Sequence, residues 1–180
     1  MRAIVCTRYG PPDVLMLEEM PKPNPNDDEV LIRIHATTIS TGDCELRRFN
    51  MPVWLWIFAR IGFGIRGPRK KILGQELAGE IVLVGNDVTR FKQGDQVFAR
   101  TGFYLGAYAE YVCLPGGGVM TKKPSNLTYE EAAPVPLGGL EAFCQLREAN
   151  IQSGQKVMII GAGGSIGTFA VRSPKRQGRK

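Results

Sequence analysis

Residues 76–102 read ELAGEIVLVGNDVTRFKQGDQVFARTG, and this stretch sets the class of fold. ELAGEIVLVG is rich in apolar and β-branched side chains, and a second apolar run, DQVFARTG, follows a short polar segment. Asn86-Asp87 and Gly94-Asp95 punctuate the two runs. Such residues tolerate left-handed backbone or hydrogen-bond their own main chain, so they stop regular structure. The pattern predicts two strands.

The same punctuation recurs on either side. Met1 to Thr7 predicts a strand followed by a turn at Gly10-Pro11-Pro12. Val14 to Glu18 predicts a second, ended by Pro21-Lys22-Pro23-Asn24-Pro25. In EVLIRIHA, Val30, Ile32, Ile34 and Ala36 share one face and Leu31, Arg33 and His35 the other. AYAEYVCLP is a further strand, closed by Gly116-Gly117-Gly118. Short strands at this spacing predict a barrel or a sandwich. The 22 Gly and 12 Pro of the 180-residue chain suit a turn-rich fold. A hydrophobic content of 43% with 22% charge allows a packed core, in one domain or one domain plus part of a second.

The character changes near residue 125. In SNLTYEEAAPVPLGGLEAFCQLREA, Ser125 or Thr128 caps a helix, with Glu130 and Glu131 in its first turn. Leu140, Phe143, Cys144 and Leu146 then recur at helical spacing. Beyond NIQSGQ, an apolar run at Val157-Met158-Ile159-Ile160 predicts a strand. It feeds glycines at 161, 163, 164 and 167 and the start of a helix. The expected organisation is a β-rich domain over 1–125, a linking helix with a strand and glycine turn over 126–171, and a basic tail over 172–180.

Strand, glycine turn and helix start together form a recipe for binding pyrophosphate. Residues without Cβ let the backbone approach the phosphates, and the helix start offers unpaired N–H groups and partial positive charge. The strict G-x-G-x-x-G spacing fails at Ile166; what fits is Gly161-x-x-Gly164-x-x-Gly167. A plain strand-to-helix turn would explain the same residues, although the preceding strand and the cap-like Ser165 favour a cofactor site. Only 13 residues follow Gly167, so the acid expected about 20 residues further on, for the ribose hydroxyl, has no place. Ser173-Pro174 and the charged run after it are foreign to a helix. They read as the product of a shifted frame or of a chain boundary, within a truncated member of some larger design.

Charge and cysteine usage exclude other classes. Of the net charge of +6, five units come from Arg172, Lys175, Arg176, Arg179 and Lys180, with no acid among them. A nucleic-acid protein carries its basic surface on folded elements, so none is expected as partner. Cys6, Cys44, Cys113 and Cys144 lie far apart without a C-x-x-C pair. That pattern suits a reduced, cytoplasmic protein, and no signal peptide is visible. PVWLWIFARIGFGI, from Pro52 to Ile65, is the most apolar stretch. It is shorter than the roughly 20 residues of a membrane span. It reads as a buried or lid-like segment, or alternatively as a surface helix touching lipid; no membrane partner is expected. Gly62, Gly64, Gly67 and Pro68 argue against a long regular helix beyond Arg60.

Several stretches taken together resemble the medium-chain dehydrogenase/reductase family, in its zinc-free quinone oxidoreductase branch. They are MRAIVCTRYGPPDVLMLEE, PKPNPNDDEVLIRIHATTIS, ILGQELAGEIVLVGNDVTRFKQGDQVFA, GAYAEYVCLP, LTYEEAAPVPLGGLEAF and GQKVMIIGAGGSIGTFAV, which span Met1 to about Val171. The resemblance implies a β-rich GroES-like barrel domain (α+β), followed by only the first helix-strand-turn of an α/β Rossmann domain. It implies NADP or NAD as cofactor, with NADPH favoured, held by Gly161, Gly163, Gly164, Ser165, Ile166 and Gly167.

Zinc members of that family place a Cys where this chain has Ser40 and a His where it has Gln75. Neither residue suits Zn²⁺, the structural four-cysteine cluster is missing, and His35 reads as an ordinary surface or edge histidine. No zinc is expected. Without a Lewis acid, electron-poor acceptors are favoured, namely quinones and α,β-unsaturated carbonyls. By resemblance Ser40 and Asp43 line the catalytic cleft, the first as hydrogen-bond donor and the second as an orienting group. Alternatively Asp43 simply caps CELRRF in a turn. Tyr104, Tyr108 and Tyr111 are pocket walls or core. Besides an enzyme, a truncated and inactive member or a non-catalytic binding module fits the sequence. In the last case strand 157–160, an unpaired apolar edge, offers a route to a homodimer.

Overall fold

The computed structural model describes residues 1–50, 52–152 and 154–173, apart from the side chains of Val53, Leu55 and Ala59. It falls into two compact units, Met1–Ala133 and Pro134–Lys180. The basic residues of 174–180, and Pro174 as the helix breaker, lie outside the described residues.

The first unit is built on seven strands. β1 (Arg2–Cys6) and β2 (Leu15–Glu19) form an antiparallel pair. β3 (Glu29–Thr37), β4 (Glu76–Val84), β5 (Gln96–Arg100), β6 (Tyr111–Pro115) and β7 (Met120–Lys122) form one sheet in the order β6-β3-β4-β5-β7. All of its pairings are antiparallel. Single bridges from Ala3 to Ala109 and from Val5 to Ile72 tie β1 to the rest.

β4 lies at the centre, and its sequence shows why. Leu77, Ala78 and Ile81 are fully buried, so the strand is covered on both faces. Leu77 and Ile81 join Val30, Ile32, Val97, Ala99, Leu114 and Met120 in the main core. Ala78 meets Ala132 and Ala133 on the other side. Gly79 allows β3 to come close, because a Cβ there would stand 2.2 Å from the Arg33 carbonyl oxygen. The β3–β4 register shifts nearby, between Ile34 and Ala36, as a local bulge does. Leu31 is buried although it shares a face with Arg33 and His35, where the exposed positions of that face begin.

β7 carried no sequence signal and is held from outside itself. The Lys122 ammonium lies 3.0 Å from the Asp95 carboxylate, which also accepts the Lys92 N–H at 3.0 Å. Burial raises the Asp95 pKa, but the Lys92 N–H and the Lys122 charge outweigh it and hold the carboxyl below its usual range.

Helices cover the sheet unit at three places. α1 (Thr41–Arg48) follows β3 directly. α2 (Val53–Phe63) continues one turn past Arg60, through Gly62, and stops at Gly64, where φ is 124°. α3 (Tyr129–Ala132) packs on β3 and β4, so the first unit extends to Ala133, further than the boundary near 125 drawn from the sequence. Thr128 caps α3 in a capping box with Glu131.

The second unit contains α4 (Val135–Glu148) and α5 (Ser165–Arg172). They pack closely at Gly138, where a Cβ would meet the Ser165 hydroxyl oxygen at 2.3 Å. The strand expected at 157–160 is not formed; residues 155–159 have no regular structure. Val157 is 52%, Met158 83% and Ile160 87% exposed. A parallel strand requires neighbours on which to pair, and no described segment of this unit supplies one.

Truncating Ile81 to Ala removes a side chain from the shared wall of β3, β4 and β5. The expected loss is about 2–5 kcal/mol of unfolding free energy, read by urea denaturation of the first unit's signal.

Candidate active site

Ser40 sits where β3 gives way to α1, in extended backbone (φ −102°, ψ 165°). It is the N-cap of α1 in a full capping box. Its hydroxyl donates to Asp43 Oδ2 at 2.7 Å, its own N–H donates to the same oxygen at 2.9 Å, and its oxygen accepts the Asp43 N–H at 3.3 Å. The cap is thus Ser40; Asp43, offered as the alternative cap, is the third residue of the helix and returns the box by accepting the Ser40 N–H. Asp43 is 3% exposed, so its carboxylate faces protein. The single proton of Ser40 is engaged by Asp43, and donation to a substrate requires the hydroxyl to turn away from it.

α1 is itself well anchored. Leu46 enters a core with Cys6, Val14, Leu73 and Leu105. The buried Arg47 guanidinium donates to the Gly10 carbonyl, and the Gly10 N–H donates to the Arg47 carbonyl at 3.0 Å. The first turn of α1 cannot shift without disturbing these contacts.

Gln75 and Tyr108 complete the cluster. The Gln75 side-chain amide donates to Asp43 Oδ1 at 3.5 Å, a long bond, and lies against Gly42, where a Cβ would be 2.9 Å from its nitrogen. The segment before β4 is fixed by Thr101, whose N–H donates to the Gln75 carbonyl at 2.8 Å and whose hydroxyl donates to the Gly74 carbonyl at 3.0 Å. Gly74, at φ 97°, lets the Tyr108 ring close over it; a Cβ would meet the ring at 2.7 Å. The Tyr108 hydroxyl is buried beside the Asp43 charge but completes no hydrogen bond of good geometry. Burial first, and then the Asp43 carboxylate, push its pKa far up. It stays protonated at any physiological pH.

Of the other two tyrosines expected as pocket walls or core, Tyr104 is exposed and Tyr111 lies under the Lys22 ammonium at 4.1 Å. Next to the cluster, Thr38 donates to the buried Glu76 carboxylate. Sequence reasoning gave neither Thr38 nor Glu76 a role, because only the β3–β4 pairing brings residues 38 and 76 together. His35 is exposed, stacks on Tyr129 with ring centres 4.2 Å apart, and lies 4.0 Å from Glu80. Cys113 stands half-buried, its thiol pushed up to about 11 by burial and by Glu29. Among the described residues no group of three His, Cys, Asp or Glu side chains could hold a metal ion. Ser40 and Gln75, side by side, offer neither thiolate nor imidazole.

The glycine turn lies in the second unit. Gly161 adopts φ 79°, which favours glycine. Gly167 lets α5 seat on the turn, since a Cβ there would stand 2.2 Å from the Gly161 carbonyl oxygen. Gly163 differs: its φ is ordinary and nothing within 4 Å would meet a Cβ, so no contact among the described residues accounts for its bare backbone. Gly164 is the N-cap of α5 and its N–H donates to the Gly161 carbonyl at 3.0 Å. No side chain caps α5. The first-turn N–H groups of Ser165, Ile166 and Gly167 have no partner from within a helix. Exposed glycine backbone leading into free N–H donors fits a diphosphate.

The alcohol dehydrogenase GroES-like domain model matches residues 26–125. The chain belongs to this family, within the medium-chain dehydrogenase/reductases. It is 32% identical to an NAD-dependent alcohol dehydrogenase of Sulfurisphaera tokodaii, over 97% of this chain and 55% of that protein. The solved quinone oxidoreductase of Coxiella burnetii superposes with a TM-score of 0.84 at 30% identity, over 99% of this chain and 54% of that one. A mycobacterial relative solved with NADPH gives a TM-score of 0.78 at 28% identity, over 97% and 50%. The chain thus spans about half the length of the curated relatives it matches.

The electrostatic coupling of Tyr108 to Asp43 has a measurable sign. A negative neighbour disfavours phenolate, so Asp43→Asn lowers the pKa of Tyr108 while burial still keeps it above the ordinary tyrosine value. Tyrosinate absorbance in a pH titration reads the shift as a difference between variant and parent.

Proposed function

We propose that this chain provides the substrate side and the nucleotide-binding turn of a zinc-independent, NAD(P)H-dependent oxidoreductase acting on a quinone or an α,β-unsaturated carbonyl. The observation that carries the proposal is the Gly161–Gly167 turn, in which Gly163 presents bare backbone to open space ahead of the uncapped start of α5. The relatives named NAD-dependent and solved with NADPH support a dinucleotide at this turn, and the quinone oxidoreductase supports the acceptor class.

In this reading Gly161, Gly163, Gly164, Ser165, Ile166 and Gly167 hold the pyrophosphate of NADPH or NADH, which when bound supplies a hydride. The substrate-side residues act on the acceptor. Reduction of a quinone or enone places negative charge on a carbonyl oxygen, and a positioned hydrogen-bond donor stabilises it. Ser40 provides that donor once its hydroxyl turns from Asp43, which otherwise orients it. The Tyr108 hydroxyl, protonated and beside Asp43, is a second donor in the same cluster.

Ser40→Gly separates chemistry from architecture, because Gly costs only a few tenths of a kcal/mol at an N-cap and has no side-chain donor. In a version of the protein carrying a complete nucleotide-binding domain, NADPH oxidation is measured with a quinone acceptor. Ser40→Gly lowers kcat by about 100-fold, in the usual range for a lost proton or hydrogen-bond donor, with little change in melting temperature. Failure of the parent to turn over any quinone or enone in a panel sinks the proposal. Full activity of both Ser40→Gly and Tyr108→Phe removes these residues from it.

The 180-residue chain by itself binds dinucleotide weakly, because residues 155–159 form no strand and the turn lacks a sheet to seat it. NADPH titration monitored by nucleotide fluorescence is expected to give a millimolar dissociation constant, and a micromolar one contradicts this. A second reading, a non-catalytic binding or dimerisation module, is favoured by the exposure of Val157, Met158 and Ile160. A monomeric mass in light scattering at high protein concentration argues against it.

A further inference from the structure

Helix α2 turns its apolar face outward. Trp54 is 77%, Ile57 63%, Phe58 73% and Ile61 56% exposed. Spaced i, i+3, i+4 and i+7, these four side chains lie along a single helix face. Ile65, just past the helix end, is 71% exposed and extends the patch. The inward side carries the helix's only charge. Arg60 stacks on Phe49, Tyr9 and Trp56 at 4.4, 4.7 and 4.8 Å and donates to the Ile65 carbonyl. Phe63 packs against the Leu46 and Leu73 core. A surface helix in water has the opposite polarity. The sequence of the Pro52–Ile65 stretch predicts a buried or lid-like segment or a surface helix; among its described side chains Trp54, Ile57, Phe58, Ile61 and Ile65 are exposed.

The stretch of chain that carries this patch is charged with one sign. No Asp or Glu lies between Glu45 and Glu76, whereas Arg47, Arg48, Arg60, Arg66, Arg69, Lys70 and Lys71 do. Arg66, Arg69, Lys70 and Lys71 are exposed. Gly67 brings exposed Arg8 beside them, since a Cβ there would stand 2.3 Å from the Thr7 carbonyl oxygen. An apolar pocket of about 220 Å³ adjoins the end of α2, lined in part by Phe63, Leu73, Leu105, Arg69 and Lys70.

We propose that α2 and the following basic segment dock on an anionic lipid surface. Trp54, Ile57, Phe58, Ile61 and Ile65 enter the boundary between headgroups and acyl chains, and Arg66, Arg69, Lys70 and Lys71 meet anionic headgroups. Exposed aromatic and aliphatic side chains beside clustered cations are the two signals that together hold a helix at such an interface. No described helix is long and apolar enough to cross a membrane, so α2 lies on the surface. A second copy of the chain is a poorer occupant. A two-fold contact through α2 would set the patch's cations against their own copies.

The test uses the 180-residue chain and vesicles of phosphatidylcholine, alone or mixed with phosphatidylserine. Trp54 and Trp56 are the chain's two tryptophans, so intrinsic emission reports α2 directly. Expected with phosphatidylserine vesicles are co-flotation and a blue-shifted emission, both weakened by salt. Lys70→Ala with Lys71→Ala is expected to reduce partitioning by roughly 30-fold, from the usual gain per cation near an anionic surface, with circular dichroism unchanged. Trp54→Ala with Phe58→Ala abolishes flotation.

Three results overturn the proposal. One is no flotation with phosphatidylserine, and another is equal, salt-insensitive binding to pure phosphatidylcholine. The third is a blue shift that grows with protein concentration without lipid while light scattering shows a dimer.

Discussion

The covering of β4 on both faces is the constraint from which the first unit follows. A strand buried on two sides requires something apolar on each. Here the sheet interior takes Leu77 and Ile81, while α3 supplies Ala132 and Ala133 against Ala78. Small side chains on that second side let a single helical turn lie flat on the sheet. Gly79 lets β3 come close, the register shifts beside it, and Ser40 starts α1 just past the end of β3. The candidate site stands at the exit of this strand pair.

Burial of Asp43 has chemical consequences that a cap at the surface would lack. An ionised carboxylate away from water needs donors on its oxygens. Two come from Ser40 and a longer one from Gln75. The same charge raises the Tyr108 pKa beyond what burial does. One carboxylate thus fixes the orientation of a hydroxyl and keeps a phenol protonated. Ser40 and Gln75 are both hydrogen-bond partners of Asp43.

Two segments expose apolar surface for different reasons. Residues 157–160 are sheet-forming in sequence but have no described strand on which to pair. α2 is a formed helix whose cation points inward and whose apolar stripe points out. The first is a strand without its sheet, the second a helix with inverted polarity. Only the second combines apolar area with a basic surround, as a charged interface requires.

The sequence by itself determined the strands β1 to β6, because alternation and turn residues are local signals, and it determined the identities of the glycines at 161–167. It also placed Ser40 and Asp43 three residues apart, which is enough for a capping box. Tertiary structure decided the rest. β7 has three residues and is held by Lys122 on Asp95, a contact across 27 positions of sequence. Tyr108 joins Asp43 only because Gly74 lets its ring close over the chain. The polarity of α2 was illegible as well, since an apolar run reads the same whether it faces core or water. What fixes it is the aromatic cage around Arg60, built by Tyr9, Phe49 and Trp56 from three separate segments. Local patterns depend on neighbours in sequence, whereas register, close approach and the facing of a helix depend on partners that only the folded chain brings together.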